Sequence, residues 1–434
     1  MDDSRNLTFC INTARNERNH IELLFKSLYT NLSRRDYPII VYVENDTQES
    51  TKFLQGQKAF FPNLRIIVNP LPVPIGYARN INLMFGEAHT DIVSYLQSDM
   101  VVCKNYDLEV LKFLTPDTIV SATRIEPPLH PPSAEKITHD FGLDPTTFNL
   151  EAFSAFAETC KKNEITDFWF APFTLYKKVW LDIGGHDTLF RRSREDSDLL
   201  YRFSMKGLKI KQVWNALVYH FTCTSSRGPE WWTEKGKERA RLQQMADAVE
   251  MFRFLRKWPQ FKHTTTFDAD KEYKYQVCAN FYNTMPQDYE MFRNYHRFHR
   301  IYVDNADTRK IIRDSWKQMH NPANKLLNIS DADWDTYKKY YRTWEYDDIY
   351  SDTPITDAEV IYNVDLKGQS MDTFLVSQAA EKMQEIVHEN RGESGEFEIE
   401  GTGVKIAINN PTNHIRDNLI VKNPPIDDIK FVYL

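Results

Sequence analysis

Short polar motifs follow four runs of apolar residues in the first hundred positions of this 434-residue chain. Carboxylates at the ends of strands can bind hydroxyl groups or cations, and an arginine at the start of a helix can bind phosphate. The motifs are residues 12–17 with Thr13 and Arg15, residues 44–46 with Glu44 and Asp46, residues 76–80 with Gly76, Arg79 and Asn80, and residues 97–99 with Ser98 and Asp99. Each motif alone is common, so their meaning depends on their order.

Two further motifs come much later, an acidic stretch at residues 194–199 and a histidine at position 220. A carboxylate within hydrogen-bond reach of a hydroxyl group can act as a general base, and Glu195 and Asp196 supply two candidates. The alternative is that both only place negative charge at a helix N-terminus, worth about 0.3–1 kcal/mol. Asp198 is expected to orient Arg202 or to cap the helix.

Strand and helix patterns alternate in front of these motifs. The sequence predicts strands over 7–12, 38–43, 64–68 and 92–96, and helices over 15–32, 51–61 and 77–88. Such alternation favours an α/β domain with a mainly parallel sheet. Ligands bind at the carboxyl ends of strands in such sheets, and the polar motifs lie at those ends.

Taken in order, the motifs resemble those of GT-A fold glycosyltransferases, and most closely the large inverting family-2 group. The strongest match is residues 181–207, which contain a Gly-Gly turn, the acidic stretch, Arg202 and Gly207. The resemblance covers roughly residues 5–225. It implies a GT-A, Rossmann-like, mixed and mostly parallel sheet that binds a nucleotide-diphosphate sugar, with a UDP-sugar favoured.

The resemblance also implies a role for each motif. Thr13, Arg15, Ser98 and Asp99 would line the donor site, Glu44 or Asp46 would bind the base or ribose, and Gly76, Arg79 and Asn80 would face the diphosphate. Asp99 and His220 would hold a divalent cation, and the imidazole favours Mn²⁺ over Mg²⁺. Asp196 would be the general base and Glu195 would hold the acceptor. The chain departs from the family at Gln97, where an aspartate is usual, which removes one carboxylate from the metal loop.

The acceptor is less well indicated by the sequence. Trp169 and Arg227 are candidate acceptor residues, since aromatic rings stack on sugars and an Arg-Gly-Pro stretch suits a lid. For Trp169, Phe170 and Phe173, packing in the core is an equally good interpretation. Taken as a whole, the chain resembles glycosyltransferases of large DNA phages and viruses. That resemblance makes hydroxymethylated pyrimidine in DNA a candidate acceptor, beside a protein side chain or a soluble glycan.

Three domains are predicted: a catalytic domain at 1–228, a helical region at 229–345, and a small α+β domain at 346–434. Residues 235–300 carry 13 basic and 8 acidic side chains, interleaved with aromatic residues. Such a mixture can bind nucleic acid, although an ordinary amphipathic helix pair is favoured. A non-catalytic nucleic-acid-binding protein on a transferase scaffold is therefore the second hypothesis.

Composition excludes several classes of protein. The formal charge is −7, so the chain is not basic throughout, and the mean hydropathy is −0.56. No apolar run approaches 18 residues, and the first residues do not form a signal peptide, so no membrane partner is expected. The five cysteines are odd in number and lack a C-x-x-C, which argues against a disulfide scaffold. We expect a cytoplasmic protein, in the host cytoplasm if it is viral.

Overall fold

A computed structural model describes residues 6–13, 17–44, 49–168, 171–191, 193–222, 234–258, 276–294, 298–319, 329–390, 392–409 and 419–434. The chain divides into two compact units. The first comprises residues 1–243, 327–329 and 422–434, and the second comprises residues 244–326 and 330–421. No helix among the described residues is long and apolar enough to cross a membrane.

The strands fall into two sheets, one in each unit. In chain order they are β1 Leu7–Thr13, β2 Ile39–Val43, β3 Leu64–Val68, β4 Ile92–Gln97, β5 Met100–Val102, β6 Thr118–Glu126, β7 Lys136–Thr138, β8 Ile165–Thr166, β9 Phe173–Tyr176, β10 Lys209–His220, β11 Val277–Tyr282, β12 Arg300–Val303, β13 Tyr350–Ser351, β14 Val360–Asp365, β15 Gly395–Ile399, β16 Val404–Ile408 and β17 Val432–Tyr433.

Helices alternate with the strands through most of the chain. They are α1 Arg18–Asn31, α2 Glu49–Gln57, α3 Tyr77–Glu87, α4 Tyr106–Lys112, α5 Leu150–Cys160, α6 Lys177–Leu181, α7 Glu195–Met205, α8 Glu234–Lys257, α9 Tyr289–Asn294, α10 Ala306–Met319, α11 Asp331–Tyr337, α12 Tyr346–Ile349, α13 Met371–Leu375 and α14 Gln378–Glu389.

The sheet of the first unit has the order β17-β3-β2-β1-β4-β9-β6-β10-β5 along its main path. Strands β3, β2, β1 and β4 are parallel neighbours, and every residue of β1 and β2 is buried. Strands buried on both faces are expected where helices cover a parallel sheet, which explains their continuous apolar runs. The predicted α/β fold class is confirmed.

Three neighbouring strands bring the later motifs to one edge of this sheet. Strand β10 pairs with β6 in parallel and with β5 in antiparallel fashion. The register places Tyr219 opposite Ile125 and His220 opposite Met100. His220 therefore lies between the end of β6, at Glu126, and the turn that contains Asp99.

The second unit contains a sheet with the order β13-β12-β11-β14-β16-β15. Strands β11 and β12 lie in the region that the sequence predicts to be helical. Their apolar runs are short and are surrounded by basic and aromatic residues, so the sequence pattern does not indicate strands there. In the C-terminal part of the chain, the sequence predicts short strands over 395–399, 404–408 and 419–421. The first two of these are present as β15 and β16. The third prediction is wrong, since residues 419–421 form no strand.

Residues 422–434 return to the first unit. Strand β17 pairs antiparallel with β3, and Leu434 and Ile66 exchange backbone hydrogen bonds of 2.9 and 3.0 Å. The ring of Phe431 packs against Tyr42 on β2. This return to the first sheet was not predicted from the sequence. The division into three domains stays a prediction.

Candidate functional site

His220 and Asp99 lie side by side, as the sequence analysis expected of a shared metal site. Nε2 of His220 is 3.7 Å from Oδ2 of Asp99, and both side chains are largely buried. The backbone N–H of Phe221 donates to the Asp99 carbonyl at 3.1 Å, which ties the turn between β4 and β5 to the end of β10. The separation of 3.7 Å exceeds hydrogen-bond length but lies within the span of two metal–ligand bonds of about 2.1 Å each.

Glu126, at the end of β6, holds the other nitrogen of this histidine. Its Oε1 is 2.8 Å from Nδ1 of His220, and its Oε2 accepts a hydrogen bond of 2.9 Å from Lys136. Burial would raise the pKa of the Glu126 carboxyl, but the hydrogen bond and charge of His220, together with Arg124 and Lys136, bring it well below its usual value. Glu126 is therefore an ionised acceptor.

The arrangement fits a divalent cation at Asp99 and His220. Because an ionised Glu126 only accepts, Nδ1 of His220 carries a proton and donates it. A cation bound at Nε2 would take the place of a proton there, on the side of the ring that faces Asp99. A carboxylate behind a ligating histidine is a common arrangement at metal sites. Among the described residues, no group of three or more His, Cys, Asp and Glu side chains could hold a metal. Water and ligand oxygens would have to complete the coordination.

Arg124 lies two residues before Glu126 on β6, and it places a buried positive charge in the same site. Its Nη1 donates to Oε1 of Glu126 at 3.4 Å. Burial lowers the pKa of this guanidinium, and the negative charges of Glu126, Asp99 and Asp196 oppose that shift. The two carboxylates predicted as metal ligand and base are thus close enough to act electrostatically on one arginine.

The acidic stretch forms the first turn of α7. Asp196 is exposed, and its Oδ1 accepts a hydrogen bond of 2.6 Å from the Ser197 N–H. Glu195 is partly buried, and its negative charge adds to the effect of burial in raising the pKa of Tyr95. Asp198 instead forms a fully buried ion pair of 2.8 Å with Arg202, which confirms its predicted orienting role. Of these carboxylates, Asp196 is the exposed one.

Thr13 and Ser98 both contact Glu17, which the sequence analysis did not single out. The Thr13 hydroxyl donates to Oε2 of Glu17 at 3.5 Å, and the Ser98 hydroxyl donates to the same oxygen. The Ser98 N–H also donates to the Asn12 carbonyl at 3.2 Å. These bonds join the carboxyl ends of β1 and β4, and the donor-binding roles of Thr13 and Ser98 stay predictions.

Glu44 is buried beneath the loop that leads to α3. Its carboxyl accepts from the Tyr42 hydroxyl at 3.3 Å, from the Ile75 N–H at 3.1 Å and from the Asn69 amide. Burial raises the pKa of Glu44 to about 7, although these donors and the Gly76 N–H oppose the shift. Glu44 therefore positions the loop 69–76, and contact with a base or ribose stays a prediction.

Gly76, Arg79 and Asn80 lie at the start of α3, as predicted. Gly76 has a φ of 80°, and a Cβ there would lie 2.8 Å from the Arg191 carbonyl oxygen, so only glycine fits. Arg79 is buried and donates to the Pro424 carbonyl at 2.8 Å. Asn80 is buried, and within the described residues its Oδ1 has no hydrogen-bond partner. The roles of Arg79 and Asn80 toward phosphate stay predictions.

His20, in the first turn of α1, is a site residue that sequence reasoning missed. Its ring meets Phe221 edge-on at 5.1 Å, and in the described part of the chain neither ring nitrogen has a hydrogen-bond partner. Burial lowers its pKa, against the charges of Asp99 and Asp144. Sequence reasoning also missed Glu126, Arg124 and Lys136. A signal was present for two of them, since Arg124 and Glu126 are charged residues within one apolar run.

Four predicted site residues lie outside the described residues: Arg15, Asp46, Trp169 and Arg227. Phe173, an alternative stacking residue, packs in the core against Phe85 and Tyr95. In the basic segment, Arg253 is paired with Glu250, and three further residues are buried: Arg256, Lys257 and Trp258. These side chains support the interpretation of an amphipathic helix.

Solved structures that are similar to the chain include the following three. PcManGT, a mannosyltransferase from Pyrobaculum calidifontis in complex with GDP-Man and Mn²⁺, is 15% identical with a TM-score of 0.39, over 58% of this chain and 64% of that chain. GalNAc-T7 with UDP, GalNAc and Mn²⁺ is 12% identical with a TM-score of 0.41, over 57% of this chain and 52% of that chain. S. aureus TarS is 12% identical with a TM-score of 0.38, over 79% of this chain and 56% of that chain.

This chain therefore spans between 52% and 64% of the lengths of those three proteins. No protein-family model matches the chain, and no curated protein matches it.

Proposed function

We propose that the first unit is a metal-dependent glycosyltransferase that moves a sugar from a nucleotide-diphosphate sugar to an acceptor hydroxyl. The observation that carries this proposal is the chain of contacts from Lys136 through Glu126 and His220 to Asp99. It supplies an oriented imidazole and a carboxylate at the carboxyl ends of β10 and β4, which is where ligands bind in such sheets.

Asp99 and His220 would hold the divalent cation, with Mn²⁺ preferred because one ligand is an imidazole. A bound cation would neutralise the charge that develops on the departing diphosphate. Glu126 keeps the proton on Nδ1 of His220 and so keeps Nε2 available. Arg124 adds a fixed positive charge that serves the same electrostatic purpose.

Asp196 is the proposed general base. It is exposed in the first turn of α7, and its charge acts on Arg124. It would accept the proton of the acceptor hydroxyl as that oxygen attacks the anomeric carbon. A single displacement of this kind inverts the anomeric centre. Glu195 is proposed to hold the acceptor.

The remaining donor contacts are proposed from the order of the motifs. They are Thr13, Arg15, Ser98, Glu44, Asp46, Gly76, Arg79 and Asn80, and the donor is proposed to be a UDP-sugar. The acceptor hydroxyl is proposed to belong to a soluble or macromolecular molecule, with hydroxymethylated pyrimidine in DNA as one candidate. Trp169 and Arg227 are proposed to contact it.

A donor and acceptor screen tests the proposal. The protein is incubated with Mn²⁺, a panel of UDP-, GDP- and dTDP-sugars, and three acceptors: hydroxymethylated DNA, a peptide mixture and soluble oligosaccharides. Mass spectrometry then follows the transfer. We expect nucleoside diphosphate release with at least one donor, and Asp196→Asn should retain donor binding but lose transfer. Absence of donor binding and release across the panel would contradict the proposal, and DNA binding without turnover would favour a non-catalytic protein.

A further inference from the structure

A turn at residues 184–188 connects two parts of the proposed site. Downstream of it, the Arg191 carbonyl accepts the Tyr77 N–H at 3.3 Å and lies against Gly76 at the start of α3. The chain then enters α7, whose first turn carries Asp196. The turn therefore leads into a segment that contacts the start of α3 and continues into the helix of Asp196.

Two asparagines hold the turn. Asn82 of α3 donates to the His186 carbonyl at 2.8 Å and accepts the His186 N–H at 2.8 Å. Asn423, which is distant in sequence, donates to the carbonyls of Gly184 at 3.0 Å and His186 at 2.9 Å, and accepts the Thr188 N–H at 3.0 Å. Both side chains use donor and acceptor atoms, so neither is easily replaced.

The segment that carries Asn423 is anchored at both ends. The adjacent Pro424 carbonyl accepts a 2.8 Å hydrogen bond from Arg79 in the first turn of α3. Farther along, β17 adds to the edge of the sheet, and the Tyr433 hydroxyl donates to Glu87 at 3.1 Å. The segment thus connects the turn to α3 through hydrogen bonds, and it is itself joined to the sheet by β17.

We propose that Asn423 is a positioning residue for the transfer reaction, acting through the turn at 184–188 on Arg191 and the start of α7. This inference rests on the proposed function. Small displacements of reacting groups lower rates strongly, so loosening the turn should reduce kcat more than it weakens donor binding.

The variant Asn423→Ala removes all three side-chain hydrogen bonds. Asn63→Ala is the matched control, since Asn63 also bonds a backbone carbonyl, that of Asp36 at 2.7 Å, but at the loop before β3. Hydrogen exchange of peptides covering residues 184–191 is measured beside kcat and the Kd of the donor. Asn82→Ala and the double variant with Asn423→Ala complete the set.

We expect amides in 184–191 to exchange roughly tenfold faster in Asn423→Ala and unchanged in the control. We expect kcat to fall roughly tenfold to hundredfold, with the donor Kd changed by less than about threefold. The effects of Asn82→Ala and Asn423→Ala should be non-additive, because both residues hold one turn.

Two results would overturn the inference. Unchanged exchange at 184–191 would remove the structural claim whether or not the protein transfers sugar. Faster exchange with unchanged kcat would show that the turn does not position the reacting groups. If wild-type protein transfers no sugar while exchange in Asn423→Ala increases, the proposed function fails and the hydrogen-bonded turn is upheld.

Discussion

Substitution of Glu126 is the most selective way to perturb the proposed metal site. Glu126→Gln keeps the size of the side chain but removes the negative charge that faces Nδ1 of His220 at 2.8 Å. Partners behind a ligating histidine typically contribute 10- to 100-fold to metal affinity. The expected loss of Mn²⁺ affinity is therefore about 1.4–2.7 kcal/mol.

The same substitution leaves Lys136 without its negative partner. The two side chains are 8% and 6% exposed and 2.9 Å apart, so the pair is buried. Breaking a buried pair costs roughly 3–5 kcal/mol of stability. The double variant Glu126→Gln/Lys136→Met removes the buried charge as well and should recover most of that stability. It should not recover Mn²⁺ affinity, which separates the two effects.

Calorimetric Mn²⁺ titration of each variant, with nucleoside diphosphate present, measures the affinity, and urea unfolding measures the stability. Glu87→Gln is the control, because Glu87, at the end of α3, forms an ion pair of 2.7 Å with Arg65 on β3. It should bind Mn²⁺ like the wild-type protein. Mn²⁺ affinity within twofold of wild type in the stabilised double variant would refute the role assigned to Glu126.

Three further predictions concern the scaffold of the site. Burial lowers the pKa of His186 to about 3, so the native state resists protonation and its stability, complete above pH 6.5, falls as the pH drops toward 3. Between pH 7.5 and pH 5 we expect urea unfolding to show a loss of about 2 kcal/mol from this group, absent in His186→Gln. Asp198→Ala should cost about 3–5 kcal/mol, because it leaves the guanidinium of Arg202 buried without its carboxylate. Gly76→Ala should cost about 1–3 kcal/mol and weaken donor binding in a titration, since the new Cβ meets the Arg191 carbonyl.

Controls for these variants come from the same chain. Gly207 has a similar φ of 77°, and a Cβ added there would have nothing within 4 Å. Gly207→Ala therefore measures the effect of backbone strain alone, without the contact that occurs at Gly76. Equal effects of the two alanines would contradict the close approach at Gly76. If the stability of His186→Gln depends on pH as that of the wild-type protein does, the pH dependence does not come from His186. If Asp198→Ala loses less than about 1 kcal/mol of unfolding free energy, the buried ion pair with Arg202 is contradicted.

Much of the first unit could be predicted from local sequence patterns. The polar motifs end apolar runs, and Asp99 and His220 meet because β5, which directly follows Asp99, pairs antiparallel with the end of β10. The spacing of Asp198 and Arg202 by four residues on a helix also predicts their contact. The contact between Asp198 and Arg202 follows from helix periodicity, whereas the pairing of Asp99 with His220 was predicted from the resemblance of the motifs to a known family.

Contacts that depend on strand order could not be predicted in this way. Glu126 reaches His220 because β6 and β10 are parallel neighbours, and nothing near either residue specifies that pairing. The return of β17 to β3 and the bonds of Asn423 likewise join residues more than 200 positions apart. Arg79 shows the consequence, since its carbonyl partner at Pro424 lies on that returning segment.

The central claim is that Asp99 and His220 hold a cation on which sugar transfer depends. Its most direct test is release of nucleoside diphosphate from the best donor, measured for wild type, Asp99→Ala and His220→Ala, with Mn²⁺ and with chelator. We expect that wild-type release stops with chelator and returns when Mn²⁺ is restored, while both variants stay inactive at every Mn²⁺ concentration. Release that persists in chelator, or in either variant, would contradict it.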